Sequence, residues 1–142
     1  NLIGYNGGMS TQRTIYEIAG GDEPFRRLIE AFYANIEKAP LVRPMYPEDL
    51  TASKEHMFLF VTQFFGAPPR YNALRGHPRL RMRHAPFPIG QAERDQWVKC
   101  MLDAIDTVGF VDPVRQELID YFERAATFLI NRAEPSTLPI RG

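Results

Sequence analysis

Apolar residues recur at Phe25, Leu28, Ile29, Phe32, Tyr33 and Ile36, the spacing that lays one continuous stripe along an α-helix. Asp22 as a cap and Pro24 in the first turn predict where this helix begins, and Pro40 predicts that it has ended. Ahead of it, Ser10 or Thr11 is positioned to cap a shorter helix through Ile18, which Gly20-Gly21 closes. A third helix opens at Thr51 or Ser53 and places Ser53, Met57, Phe60, Val61 and Phe64 on one face, with Gly66 and Pro68-Pro69 as its stop. A fourth runs from about Gln91 to Val108 and gathers Trp97, Cys100, Met101, Ala104, Ile105 and Val108 on one side. A fifth starts at Asp112-Pro113, carries Leu118, Tyr121, Phe122, Ala125, Phe128 and Leu129 on its stripe, and ends near Arg132.

The segments between these helices are set by proline. Pro44 and Pro47 flank Tyr46 and restrict Leu41 to Leu50 to an irregular or single-turn connection. Residues 66–88 hold Pro68, Pro69, Pro78, Pro86 and Pro88, which leaves room only for short turns. Period-two alternation is confined to Arg79 to Arg83, where prolines and arginines argue against a central strand. The predicted class is all-α: a glycine-rich leader over residues 1–9, one domain over 10–132 and a frayed tail over 133–142.

Composition narrows the function without naming it. The 142 residues are 44% hydrophobic, enough for one sizeable core and too apolar for a disordered chain. Lys plus Arg and Asp plus Glu both number 17, so no global field draws the protein to nucleic acid or to an anionic membrane. The one cysteine, Cys100, excludes an internal disulfide, and no CxxC or CxxCH motif is present for zinc, redox or covalent haem chemistry. With no apolar run long enough to span a bilayer, the expectation is a protein of the cytoplasm.

Against this neutral background the stretch RGHPRLRMRH, Arg75 to His84, holds four arginines and two histidines. It reads as a solvated connection, as a phosphate-binding loop for nucleic acid, or as an anion site for a small cofactor with carboxylates or phosphates. It lacks the interleaved aromatics of nucleic-acid grooves, so the cofactor reading ranks above nucleic acid. The three histidines, His56, His77 and His84, match no zinc spacing, although His84, just before Ala85-Pro86, sits where a single axial ligand is possible. Tyr33 and Trp97 lie on the apolar faces of their helices. With Tyr46 in its proline-flanked turn they offer three polar donors to one apolar cavity, or else they are core side chains satisfied by backbone carbonyls.

The segments GHPRLRMRHAPF (Gly76 to Phe87), ERDQWVKCM (Glu93 to Met101) and AFYANIEKAPLVRPMYPEDL (Ala31 to Leu50) closely resemble the group II truncated haemoglobins. The resemblance covers about Thr14 to Arg132. It implies a shortened globin, helices packed two over two around a non-covalent haem b. It also implies His84 as the proximal iron ligand, bound through its neutral imidazole, and Arg83 and Tyr71 as partners of the haem propionates. On the distal side it matches Trp97, Tyr33 and Tyr46 to the pocket's donors and Ser53 to its small residue. Met57, Phe60 and Val61 then wall the cavity, His56 lies toward the propionate edge, and Met101 is a further haem contact. Phe64 stands where relatives often carry tyrosine.

The function so implied is reversible binding of dioxygen and other diatomic ligands at a five-coordinate iron, with slow release. A hydrogen bond to a charged group contributes about 1.5 to 3 kcal/mol, so two such donors slow release by roughly two to four powers of ten. The alternative is a haem-dependent redox enzyme, a nitric oxide dioxygenase or a peroxidase, which needs a reductase or reducing substrate from elsewhere. A haem-free helical module that binds nucleic acid or phosphate through Arg75 to Arg83 is a third class. Oligomeric state is left open by the sequence.

Overall fold

The computed structural model describes residues 13–70, 89–128 and 130. Among these, the chain forms α1 (Ile15–Ala19), α2 (Asp22–Ile36), a 3₁₀ turn (Arg43–Met45), α3 (Thr51–Phe64), α4 (Gln91–Val108) and α5 (Val114–Phe128), with no strand. The all-α expectation holds. The leader, the tail, Ser10, Thr11, Arg132, and the whole stretch from Tyr71 through the arginine-rich segment to His84 lie outside the described residues.

Local chemistry explains the boundaries. The cap of α1 is Thr14, not Ser10 or Thr11, because Thr14 and Glu17 form a reciprocal box. The Thr14 hydroxyl accepts from the Glu17 amide at 3.1 Å and the Glu17 carboxylate accepts from the Thr14 amide at 3.0 Å. Gly20 and Gly21 then turn the chain at φ 114° and 85°. Gly21 caps α2, and Asp22 enters the first turn. There its carboxylate suits the helix dipole, accepts from the Tyr16 hydroxyl at 2.6 Å and forms a two-pronged pair with Arg70 at 3.0 and 3.1 Å. Arg70 also donates to the Thr62 hydroxyl, so one guanidinium ties the end of α3 to the start of α2.

The predicted stripe of α2 is the buried one: Phe25, Leu28, Ile29, Phe32, Tyr33 and Ile36 all face the core. This helix packs against both α3 and α4, and α4 packs against α5, so the pairs α2–α3 and α4–α5 meet where α2 lies on α4. Asn35 adds a polar tie across that contact, donating to the Cys100 carbonyl at 2.9 Å. The α4 side expected to be apolar is buried from Trp97 through Ile105, with Val98 added and Val108 half-buried.

Two predicted faces shift. In α3 the core takes Phe58, Leu59, Val61 and Thr62, whereas Ser53, Met57 and Phe60 are half-buried and Phe64 is 55% exposed. Met57 to Val61 is apolar all round the helix, so periodicity could not choose a face; packing against α2 chose it. In α5 the buried row is Val114, Leu118, Phe122 and Ala126, an i, i+4 ridge. Tyr121 and Ala125 sit half-buried beside it and Phe128 is 61% exposed.

The junction of α1 with the end of α3 is held at atomic contact. The Tyr16 amide donates to the Phe65 carbonyl at 2.9 Å. Gly66 adopts φ 119°, and a Cβ built there would stand 2.3 Å from the Thr14 Cβ. Gly66→Ala is therefore expected to destabilise by about 2 to 4 kcal/mol, since the backbone strain and the collision act together. Chemical denaturation checks this, and a loss under about 0.5 kcal/mol, typical of an ordinary surface change, would contradict the packing described.

Candidate functional site

The three donors expected to converge do so, and each arrives from a different element. Tyr33 projects from the buried stripe of α2 and is 2% exposed; Trp97 projects from α4 and is 9% exposed. Tyr46 follows the 3₁₀ turn in extended conformation, at φ −121° and ψ 152°. The indole nitrogen of Trp97 donates to the Tyr46 hydroxyl at 3.0 Å. Tyr33 and Tyr46 meet edge to face with ring centroids 5.5 Å apart. The Tyr33 hydroxyl donates to the Ser53 carbonyl at 3.5 Å, which brings the start of α3 to the same place.

The donors act in series where the sequence suggested three in parallel. An indole has one proton, and that of Trp97 goes to Tyr46. The Tyr46 oxygen accepts from Trp97 and keeps a proton of its own. Accepting this hydrogen bond polarises the Tyr46 O–H and strengthens it as a donor. Burial pushes the Tyr46 phenol up to about 12, with the bond from Trp97 and the nearby Tyr33 hydroxyl pulling the other way. Tyr33 is pushed further up, first by burial and then by its neighbour Tyr46. Both phenols are thus neutral donors throughout the physiological range.

The remaining predicted residues fall into three groups. Ser53, His56, Met57 and Phe60 lie half-buried on α3, with Met57 and Phe60 packed on the edge of the core. Val61 and Met101 are fully buried within the core itself. His84, Arg83 and Tyr71 are outside the described residues.

Three residues escaped the sequence reading. The Phe32 ring meets that of Trp97 at 5.2 Å and that of Tyr33 at 5.0 Å, both in T-shaped contact, so it packs against two of the three donors. Gln96 accepts from the Leu41 and Val42 amides at 2.8 and 3.2 Å. The Arg43 guanidinium binds Glu37 and the carbonyls of Tyr46, Pro47 and Glu48. Phe32 was visible as core. Gln96 carries no sequence signal, because its partners lie 55 and 54 positions away. Arg43 binds near neighbours in sequence, but no helical or strand periodicity marks a side chain that folds back on an irregular turn.

The raised phenols make stability pH-dependent with a definite sign. Unfolded tyrosines release protons near pH 10, while Tyr46 holds its proton to about 12. Between those values the native state binds more protons than the unfolded state. The contribution is complete below about pH 10 and is lost as pH rises toward the folded value. Urea midpoints measured up the alkaline range should fall across this window, and phenolate absorbance should show slow-to-ionise tyrosines. A flat stability profile there would contradict the buried donor cluster.

Comparisons with known proteins agree with this fold. The family model described as Bacterial-like globin matches residues 14–131. The chain is 40% identical over 114 residues to the Group 2 truncated hemoglobin YjbI of Bacillus subtilis (strain 168), covering 80% of this chain and 86% of that protein. It superposes on the crystal structure of hemoglobin from the thermophilic phototrophic bacterium Chloroflexus aurantiacus with a TM-score of 0.83 and 50% identity, covering 85% of this chain and 100% of that one. The structure of the truncated oxygen-avid haemoglobin from Bacillus subtilis matches with a TM-score of 0.80 and 39% identity over 84% of this chain and 100% of that one. The chain belongs to the bacterial-like globin family, as a group II truncated haemoglobin with the two-over-two helical fold of that group.

Proposed function

We propose that this globin binds haem b non-covalently and holds dioxygen, or another diatomic ligand, under a distal hydrogen-bond relay ending at Tyr46. Membership of the globin family supports haem-based ligand binding in general. The observation that carries the finer reading is the donor cluster itself: Trp97, Tyr33 and Tyr46 joined inside the fold beside the half-buried face of α3.

The donor set fits such a group. Haem, when bound, supplies a ferrous iron at which a diatomic ligand coordinates and gains negative charge. Neutral donors suit that ligand, since they stabilise developing charge without bringing a full charge into an apolar pocket. Met57 and Phe60 keep partly exposed apolar surface at the edge of the core, of the kind a flat, largely apolar ring would cover. His84 would hold the iron, with Arg83 and Tyr71 toward the propionates; Val61, Met101 and His56 are assigned as further haem neighbours on the same resemblance. None of the described helices is long and apolar enough to cross a membrane. One of the related structures is that of an oxygen-avid haemoglobin, which supports slow release here as well.

Each residue has a distinct task. Trp97 gives its proton to the Tyr46 oxygen, Tyr33 braces the Tyr46 ring edge to face, and Tyr46 offers its own proton to the ligand. Burial keeps both phenols protonated, so the donor is present at every pH the protein meets.

The test begins with the absorption spectrum of the purified protein, as isolated and after dithionite and carbon monoxide, beside His84→Ala. An intense Soret band that responds to reduction and ligand, and is lost or altered in the variant, is expected; failure of the protein to take up haem on reconstitution would overturn the reading. Dioxygen dissociation is then measured by stopped flow. Tyr46→Phe should accelerate it by roughly ten- to a hundredfold, the worth of one hydrogen bond to a charged group. Because Trp97 acts through Tyr46, adding Trp97→Phe to Tyr46→Phe should change little further, and fully multiplicative effects would refute the serial arrangement.

A further inference from the structure

Tyr46 gains its position from outside the pocket. It stands in a stretch with little secondary structure of its own: Pro44 and Pro47 lack amide protons, and Tyr46 has left the 3₁₀ turn for an extended conformation. Among the described residues no backbone amide bonds the carbonyls of Tyr46, Pro47 or Glu48. All three are taken by Arg43. Its Nη1 donates to the Tyr46 carbonyl at 3.2 Å and to the Pro47 carbonyl at 3.0 Å, and its Nη2 to that of Glu48 at 3.1 Å. Its Nε is held by the Glu37 carboxylate at 2.9 Å, which anchors the fork to the residue just past the end of α2.

The other end of the stretch is tied to α4. The Gln96 side-chain oxygen accepts from the Leu41 and Val42 amides, and Gln96 is the residue immediately before Trp97. One turn of α4 therefore contacts this segment twice, once at its backbone through Gln96 and once at the Tyr46 hydroxyl through Trp97. A 3.0 Å hydrogen bond between two side chains on separate elements survives only if those elements are held in register, and these ties supply the register.

We propose that Arg43 and Gln96 are positioning residues for the Tyr46 phenol, and that they tune ligand release without touching the ligand. The functional half rests on the haem-binding reading given above; the structural half does not. Arginine is required at position 43 because its planar fork spreads three nitrogens over three carbonyls and the Glu37 carboxylate at once, a span the one nitrogen of lysine does not cover. The clamp thus carries chemistry beyond charge pairing with Glu37.

The protein's one tryptophan makes the effect readable at its source. The indole N–H resonance of Trp97 in the ferrous carbon monoxide form reports the bond to Tyr46, and stopped flow reports dioxygen dissociation. Arg43→Met and Gln96→Leu are expected to shift that resonance and speed its exchange with solvent. Dissociation should accelerate by up to roughly tenfold, the weakening rather than full loss of one hydrogen bond. Arg43→Lys should behave like Arg43→Met, and Arg27→Met, which breaks only an exposed pair with Glu23, should leave both readouts alone. Thermal unfolding of each variant identifies any that fails to fold, and Gln96→Leu keeps the test open if Arg43→Met is such a one.

An unmoved indole signal in folded Arg43→Met and Gln96→Leu, or full rescue by Arg43→Lys, would overturn the clamp. A shifted indole signal with unchanged dissociation would overturn its functional half. If the wild type takes up no haem, the haem reading falls, and the clamp is judged by the indole signal of the haem-free wild type and variants.

Discussion

An indole N–H placed in an apolar helix interface must find an acceptor, and here the acceptor is the Tyr46 phenol. An unpaired buried donor costs about 1 to 3 kcal/mol, so this bond constrains everything that brings its two ends together. Trp97 is delivered by α4, which lies on α2, and Tyr46 by a segment that turns back from the end of α2. The α2–α4 contact, the 3₁₀ turn and the ties of Gln96 and Arg43 therefore act as one unit around a single hydrogen bond.

The electrostatics of that unit are those of a neutral site. Its donors are an indole and two phenols, and burial holds the phenols in their protonated form. The charged groups that organise it stay at the perimeter: the Glu37 carboxylate is half-exposed, and Arg43 spends its guanidinium on carbonyls. A full charge inside would have to be desolvated, whereas oriented neutral dipoles carry little such penalty and act on whatever partial charge develops next to them. The same separation recurs at the far end of α2, where Asp22, Tyr16 and Arg70 tie three elements on the exposed side of the core.

Much of this was legible from residue order alone. The α2 stripe was predicted residue for residue, because a single clear 3.6-residue period leaves no alternative face. The α4 side holding Trp97 and Cys100 and the irregular turn around Tyr46 followed from periodicity and from proline chemistry in the same way. The faces of α3 and α5 were less legible. Five consecutive apolar residues in α3 satisfy any face, and the last turn of α5 continues its pattern beyond the core that would cover it. The cap of α1 was misplaced for a different reason: several hydroxyl residues stand in a row, and only Thr14 has Glu17 three positions on to complete the box.

The chain's order of residues by itself determined the helices, their polarity and the identity of the three site aromatics, all properties that depend on neighbours a few positions away. Tertiary structure alone decided how those aromatics combine. Whether Trp97, Tyr33 and Tyr46 would point separately into a cavity or link into a relay depends on distances across elements up to 51 positions apart in sequence. Gln96 shows the same limit, since it is an ordinary polar side chain until the fold brings the Leu41 and Val42 amides within its reach. A hydrogen bond requires two atoms about 3 Å apart, and only the packing of α2 on α4 sets that distance here.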